Sequence, residues 1–192
     1  MIDEIRKARN WINLMNPVYL DTETTGLGSG AEICSIAVID DAGHVLLDTL
    51  VKPALPIPPD ATEIHGITDA DVAAAPGWET VWPQVCELVR NRLVIIYNAD
   101  YDLRLINQSG LMHAVHSNLL DWSNTECAMR LYADFHAEWD AYHGNNRWIN
   151  LVNACRQMRV GTAGILPHSA AGDCELTRRL VHALAEHQAV PA

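Results

Sequence analysis

With 192 residues, 49% of them apolar and 19% charged, the chain has the length and composition of one globular domain with a sizeable core, which excludes a disordered or fibrous protein. The formal net charge of −11 excludes a protein that coats nucleic acid through bulk positive charge, but not one that meets phosphate where bound cations supply the charge locally. Cys34, Cys86, Cys127, Cys155 and Cys174 are scattered without zinc spacing, no apolar run approaches the roughly 18 residues of a membrane span, and the acidic Asp3 and Glu4 do not fit a signal peptide, so a cytoplasmic protein with reduced cysteines is expected.

Residues 1–16 place Ile2, Ile5, Ile12 and Met15 on an approximate helical stripe with Trp11 nearby, which predicts an amphipathic helix ended by Pro17. The short apolar run 18–21 then predicts a buried strand that delivers Asp21 and Glu23 before the loop 24–30. Residues 33–39 and 45–51 are rich in β-branched side chains and are joined by Asp40-Asp41-Ala42-Gly43, a hairpin composition, so a meander of three strands is expected. Four prolines between 52 and 59 impose an irregular crossing segment.

Thr68-x-x-Asp71 opens a short helix with an acid at the capping-box position, and a longer helix is predicted over about 77–92. The run 93–97 has the length and type of a central strand, with Asn98-Ala99-Asp100 as the cap of the following helix. A fifth strand is expected at 119–122, and Ser123-x-x-Glu126 reads as a capping box opening a helix to about residue 139. A polar loop over 140–147, a helix over 148–158, a glycine-rich loop to Pro167 and a last helix over 169–187 complete the chain. Neither a repeat nor a linker divides it, so residues 1–16 form an N-terminal amphipathic helix and 17–192 a single domain. The alternation predicts an α/β fold with a mixed sheet, in which the ends of the first and fourth strands meet where open sheets bind ligands.

Asp21 and Glu23 lie two apart on a strand and so point the same way, and like charges that close repel unless a cation lies between them. Hard oxygen ligands of this kind suit Mg²⁺ or Mn²⁺. Alone, however, an Asp-x-Glu pair reads as solvated residues at a strand end. Asp102, in the first turn after the strand 93–97, can face the end of the first strand, although an Asp there also complements the helix dipole. His168 and Asp173 would stand ~140° apart on one ideal helix. They share a site only if His168 precedes the helix, a break that Pro167 permits.

Asp21-Thr22-Glu23-Thr24-Thr25-Gly26, Ile64-His65-Gly66-Ile67, Asn98-Ala99-Asp100-Tyr101-Asp102 and His168-Ser169-Ala170-Ala171-Gly172-Asp173 stand in this order. Over roughly residues 17–187 the chain thereby resembles the DnaQ-like DEDDh 3′→5′ exonucleases, the group of the proofreading ε subunit, RNase T and oligoribonuclease. The resemblance implies an RNase H-like fold with a five-stranded mixed sheet flanked by helices. It implies the acidic set Asp21, Glu23, Asp102 and Asp173 holding two Mg²⁺ or Mn²⁺ ions, with Asp21 bridging, Glu23 and Asp173 completing the tighter site and Asp102 on the second ion. It also implies His168 as general base, on a loop whose Gly161, Gly164 and Pro167 would let it swing in. The chemistry is coherent: two metals ~3.5 to 4 Å apart suit phosphodiester hydrolysis, and histidine is the side chain suited to taking a proton from water at neutral pH.

Thr24, Gly26 and Leu27 are expected to receive the terminal nucleotide, with Leu27 either wedging against its base or packing on the core. His65 lines the same cleft by resemblance. Tyr101, Trp148 and Arg147 are placed to stack on or pair with a strand, the alternative for the two aromatic residues being the core. Tyr97 stands where the family commonly has His, a departure expected to alter contacts near the terminal nucleotide. The expected function is a metal-dependent exonuclease releasing nucleoside 5′-monophosphates from the 3′ end of DNA. The alternatives are an enzyme for RNA or short oligonucleotides, and a polymerase or repair accessory subunit guided by a partner. Only residues 188–192 follow the last helix, which favours a stand-alone enzyme with nucleic acid as its partner and no membrane association.

Overall fold

The computed structural model describes residues 1–115 and 122–188. Helix α1 (Ile2–Leu14) precedes the meander β1 (Val18–Thr24), β2 (Ile33–Asp40) and β3 (Val45–Leu50). The short helices α2 (Pro59–His65) and α3 (Asp69–Val72) follow, then α4 (Trp78–Val89), β4 (Val94–Ile96), α5 (Ala99–Met112), β5 (Thr125–Cys127) and α6 (Ala128–His136). A small ribbon of β6 (Trp139–Asp140) and β7 (Asn145–Asn146) leads to α7 (Leu151–Gln157) and α8 (Ala170–Glu186).

The five-stranded sheet has the order β3-β2-β1-β4-β5. Its β1–β2 and β2–β3 pairs are antiparallel, and β1–β4 and β4–β5 are parallel, which makes it mixed and RNase H-like. Alternation along β1 divides the core between the two faces. Val18 and Leu20 join Ile36, Val38, Trp78, Trp82 and Leu105 beneath α4 and α5, whereas Tyr19 joins Ile39, Ile95, Cys174 and Leu180 beneath α8. Because β1 and β4 run parallel with Val18 opposite Val94 and Tyr19 opposite Ile95, the segments leaving both strands emerge at one edge of the sheet. The β1–β2 ladder slips between Glu23 and Thr24 at that edge, the kind of irregularity that re-aims side chains beside a site.

Several expectations need correction. On α1 the buried stripe is Ile5, Ala8 and Trp11, packed against the α8 side of the core, while Ile2 and Met15 are 63% and 41% exposed. Burial of side chains the size of Ile5 and Trp11 is worth roughly 1.5–3 kcal/mol each, so packing rather than propensity fixes this helix. Of the strand expected at 119–122, residues 119–121 lie outside the described residues, and Trp122 sits in a 3₁₀ turn. Ser123 and Glu126 open no helix, because Glu126 pairs with Ile95 as part of β5 and its carboxylate meets Lys7 Nζ at 2.8 Å. Satisfying the open backbone edge of β4 outweighs the local capping pattern. The Thr68–Asp71 capping box is present, with Asp71 Oδ2 accepting from the Thr68 amide at 2.8 Å. No helix among the described residues is long and apolar enough to cross a membrane.

Candidate active site

Asp21 and Glu23 leave β1 on the face that α8 covers, and Asp173 lies in the first turn of α8. The sequence cannot show that these segments meet; the packing of α8 across β1 and β2 brings them together. One carboxylate oxygen from each of Asp21, Glu23 and Asp173 lies within 4.8 Å of the others. Asp173 Oδ1 is buried without a hydrogen-bond partner. An acceptor-only group left this way is costly unless a cation or water meets it.

The electrostatics agree. Burial first, then the charges of Asp102, Asp173 and Glu23, push the Asp21 carboxyl well above the usual carboxylate range. Glu23 is pushed up to about 7, again by burial and then by Asp173 and Asp102. Burial also raises Asp173, against the lowering effect of the nearby His168 imidazole and main-chain N–H. Each shift is one that a positive charge among the oxygens would reverse, so the donor set and its unpaired oxygen fit a hard divalent cation.

Asp102 stands apart from these three. It enters from α5, on the other face of the sheet, and its Oδ1 accepts from the Thr22 hydroxyl at 2.6 Å. Thr22 lies between Asp21 and Glu23 and therefore points the opposite way, so the strand tethers the fourth carboxylate with the residue between the first two. Burial raises Asp102 to about 7 although the Thr22 hydrogen bond lowers it. Thr22 was missed as a site residue, although strand alternation placed its hydroxyl on the α5 side.

His168 is exposed and precedes α8, with a left-handed φ of 57° that few non-glycine residues adopt. The turn is pinned from both sides: Ser169 Oγ caps α8 by accepting from the Gly172 amide at 3.2 Å and donates to the Leu166 carbonyl at 2.8 Å. Gly172 is required there, because a Cβ on it would lie 2.1 Å from the Leu166 carbonyl oxygen. His168 thus occupies the non-helical position that Pro167 was expected to permit.

Beside the carboxylates opens a pocket of about 500 Å³, lined by Thr22, Glu23, Thr24, Gly26, Leu27, Asp60, Ala61, Ile64, His65, Asn98 and Tyr101. All five residues expected at the substrate, Thr24, Gly26, Leu27, His65 and Tyr101, line it. Leu27 is 80% exposed and Ile64 61% exposed, so Leu27 does not pack on the core, and Ile64 is an apolar lining residue that the motif reading passed over. Tyr101 is a strut, its hydroxyl 2.6 Å from Thr24 Oγ1 and donating to the Gly26 carbonyl at 3.0 Å. His65 lines the pocket with both nitrogens engaged inside the protein. Its Nδ1 accepts from the Ile67 amide at 3.0 Å, which leaves Nε2 as the protonated nitrogen, 3.3 Å from the Thr24 carbonyl. Burial favours this neutral form, and the nearby His168 adds to the lowering of its pKa.

Tyr97 does not meet the pocket: it is buried, and its hydroxyl donates to the Ile149 carbonyl at 2.5 Å. Trp148 is not a core residue, being 54% exposed, and Arg147 pairs with Glu138 at 2.9 Å. Neither lines the pocket at the carboxylates.

A five-stranded RNase H-like sheet with acids at the ends of β1, at the start of α5 and at the start of α8, the last preceded by a histidine, defines a DEDDh-type nuclease. Comparison with known proteins agrees: residues 18–181 match the RNase T exonuclease family, and the chain belongs to that family. The uncharacterised exonuclease CP81 of Escherichia phage 186 is 41% identical over 184 residues, spanning 94% of this chain and 93% of that protein. The DNA polymerase III subunit epsilon of Rickettsia felis is 27% identical over 169 residues, 84% of this chain and 70% of that one. Exonuclease X in complex with 5′-overhanging duplex DNA superposes with a TM-score of 0.64 at 25% identity, over 87% of this chain and 90% of that one. The nuclease domain of 3′hExo, a DEDDh family member bound to rAMP, superposes with a TM-score of 0.67 at 13% identity, over 88% and 92% of the chains, which speaks to the fold alone. The chain is therefore an exonuclease of the DEDDh type with an acidic cluster suited to metal.

Proposed function

We propose that this exonuclease cuts DNA from the 3′ end and releases nucleoside 5′-monophosphates, using two divalent ions of the Mg²⁺ or Mn²⁺ class. The observation that carries this is the juxtaposition of the Asp21, Glu23 and Asp173 oxygens with a pocket of about 500 Å³, a size that suits a single nucleotide. Asp21, Glu23 and Asp173 would hold one ion, and Asp21 with Asp102 the other. When bound, such ions neutralise the carboxylates, lower the pKa of the attacking water and stabilise the departing 3′ oxygen.

The remaining work falls to the chain. Leu27 and Ile64 offer apolar surface to the terminal base, while the Tyr101 and His65 hydrogen bonds hold the loop and the Thr24 carbonyl in fixed positions around the sugar. His168, exposed beside Asp173, takes the proton of the attacking water on an imidazole nitrogen. A substrate closed over the pocket would exclude bulk water from the buried acids. DNA is favoured because the polymerase III epsilon likeness and the Exonuclease X complex both concern DNA.

The test is digestion of 3′- and 5′-labelled DNA and RNA strands with Mg²⁺, Mn²⁺ or EDTA. The expected result is mononucleotide release from the 3′ label first, abolished by EDTA and faster on DNA. Release from the 5′ end, or cleavage that persists in EDTA, would refute the mechanism. Faster cleavage of RNA would refute the substrate.

A further inference from the structure

The run 53–59 contains Pro53, Pro56, Pro58 and Pro59, so the only main-chain amides it has to offer are those of Ala54, Leu55 and Ile57. A segment so poor in donors cannot be held by a ladder of main-chain bonds. Two carboxylates hold it instead. Glu32 Oε1 accepts from the amides of Ala54 at 3.0 Å and Leu55 at 3.2 Å, and Asp69 Oδ1 accepts from the Ile57 amide at 2.8 Å. The segment runs directly into α2, whose Ile64 and His65 form one wall of the nucleotide pocket.

Glu32 stands at the base of the facing wall. The Thr25 amide donates to the Glu32 carbonyl at 2.8 Å and the Glu32 amide to Thr25 Oγ1 at 2.9 Å, which closes the loop that brings Thr24, Gly26 and Leu27 to the pocket. Helix α5, which supplies Tyr101 as a third wall, reaches the same place from its other end. There His113 Nε2 donates to Glu32 Oε2 at 2.8 Å, and Ser109 Oγ accepts from the Ile33 amide at 3.0 Å. One side chain, 1% exposed, thus bonds the elements of all three walls. Burying a carboxylate is costly unless donors meet it, and here both oxygens are used, where a glutamine would offer one acceptor. The bond from His65 Nε2 to the Thr24 carbonyl, 3.3 Å, joins two of the walls nearer the nucleotide and depends on this spacing.

We propose that Glu32, which lies outside all four sequence motifs, is a positioning residue: its carboxylate sets the gap between the loop 24–27 and α2, and so the fit of the terminal nucleotide, without touching it. This rests on the pocket receiving a 3′-terminal nucleotide. Walls that are no longer held at that gap bind the nucleotide less tightly in ground and transition states alike, so KM rises while kcat holds.

The experiment compares wild type, Glu32→Ala, Glu32→Gln, His113→Ala and Asp41→Ala, each at a temperature where its thermal unfolding curve shows it folded. KM and kcat are measured on a 3′-labelled DNA strand, and the Kd of a deoxynucleoside 5′-monophosphate with Mn²⁺ by calorimetry. Asp41→Ala is the control for lost stability, because Asp41 accepts from the Tyr19 hydroxyl at 3.0 Å and from His182 Nε2 at 2.9 Å at the end of β1 away from the pocket. Glu32→Ala should raise KM and Kd about tenfold with kcat within about twofold of wild type. Glu32→Gln, whose amide oxygen still accepts from Ala54 and Leu55, should recover most of that loss, and His113→Ala should raise both constants about threefold. Asp41→Ala should lower the melting temperature and leave KM unchanged. A fall in kcat at unchanged KM, Glu32→Gln no better than Glu32→Ala, or an equal rise of KM in Asp41→Ala overturns the assignment. Should Glu32→Ala not fold at any temperature, unchanged KM and Kd in His113→Ala overturns it. Wild type that binds the monophosphate but digests no strand defeats the 3′→5′ reading, and the calorimetric comparison then still decides the role of Glu32. Wild type that binds no monophosphate overturns both.

Discussion

In the metal-free protein the carboxylate cluster is a liability that Glu23→Gln should relieve. The Glu23 carboxyl is pushed from 4.5 up to about 7, chiefly by burial and then by Asp173 and Asp102. A folded-state value above the unfolded one means that the native state binds the extra proton, so stability is lost as pH rises from about 4.5 through about 7. Above that window the span from 4.5 to about 7, at about 1.4 kcal/mol per pH unit, corresponds to about 3 kcal/mol of native-state cost. Glutamine keeps the shape and removes the charge. For a chain of 192 residues the gain at pH 8 should raise the melting temperature by roughly 5 to 10 °C in EDTA. The assay is thermal unfolding of wild type and variant in EDTA at pH 4.5 and pH 8, with exonuclease rates in Mg²⁺ measured alongside. The variant should be the more stable at pH 8, lose that advantage at pH 4.5, and be nearly inactive. A metal-free variant no more stable than wild type at pH 8 would refute the view that burial and the neighbouring acids strain the Glu23 carboxylate.

Three further substitutions separate the parts of the site. His168→Ala should lower kcat by about 10² to 10⁴ with little change in KM, through loss of general-base help, and an unchanged rate would remove His168 from that role. Gly172→Ala sets a Cβ 2.1 Å from the Leu166 carbonyl oxygen and must displace the turn carrying His168. It should depress kcat while calorimetric Mn²⁺ binding stays intact; full activity would show that the turn need not be held. Tyr101→Phe removes the hydroxyl that meets Thr24 and Gly26, a loss of about 1 kcal/mol that should appear as a several-fold rise in KM. A fall in kcat alone would argue that Tyr101 does not act by shaping the pocket.

The parts of this molecule that were legible in the sequence are those set by local rules. Period-two alternation put Asp21 and Glu23 on one side of β1, the composition of 40–43 gave the hairpin, and the Thr68 and Asn98 caps mark real helix starts. What was not legible depends on contacts between distant segments. Thr125-Glu126-Cys127 lacks an apolar period and is a strand only because β4 offers it a partner. The Thr22–Asp102 hydrogen bond joins residues 80 apart, on the face of the sheet opposite Asp21 and Glu23. Tyr97 was placed near the terminal nucleotide by its position at a strand end, but the Ile149 carbonyl draws its hydroxyl away. Likewise, the motif around His65 marks the pocket without revealing that both ring nitrogens are already engaged.

The most direct test of the metal assignment is a crystal soaked with Mn²⁺ and a deoxynucleoside 5′-monophosphate, read by anomalous scattering. The expected map has a manganese peak within coordination distance of an oxygen from each of Asp21, Glu23 and Asp173, with the nucleotide base between Leu27 and Ile64. A well-occupied nucleotide with no manganese at those three carboxylates, or manganese bound only elsewhere, would contradict it.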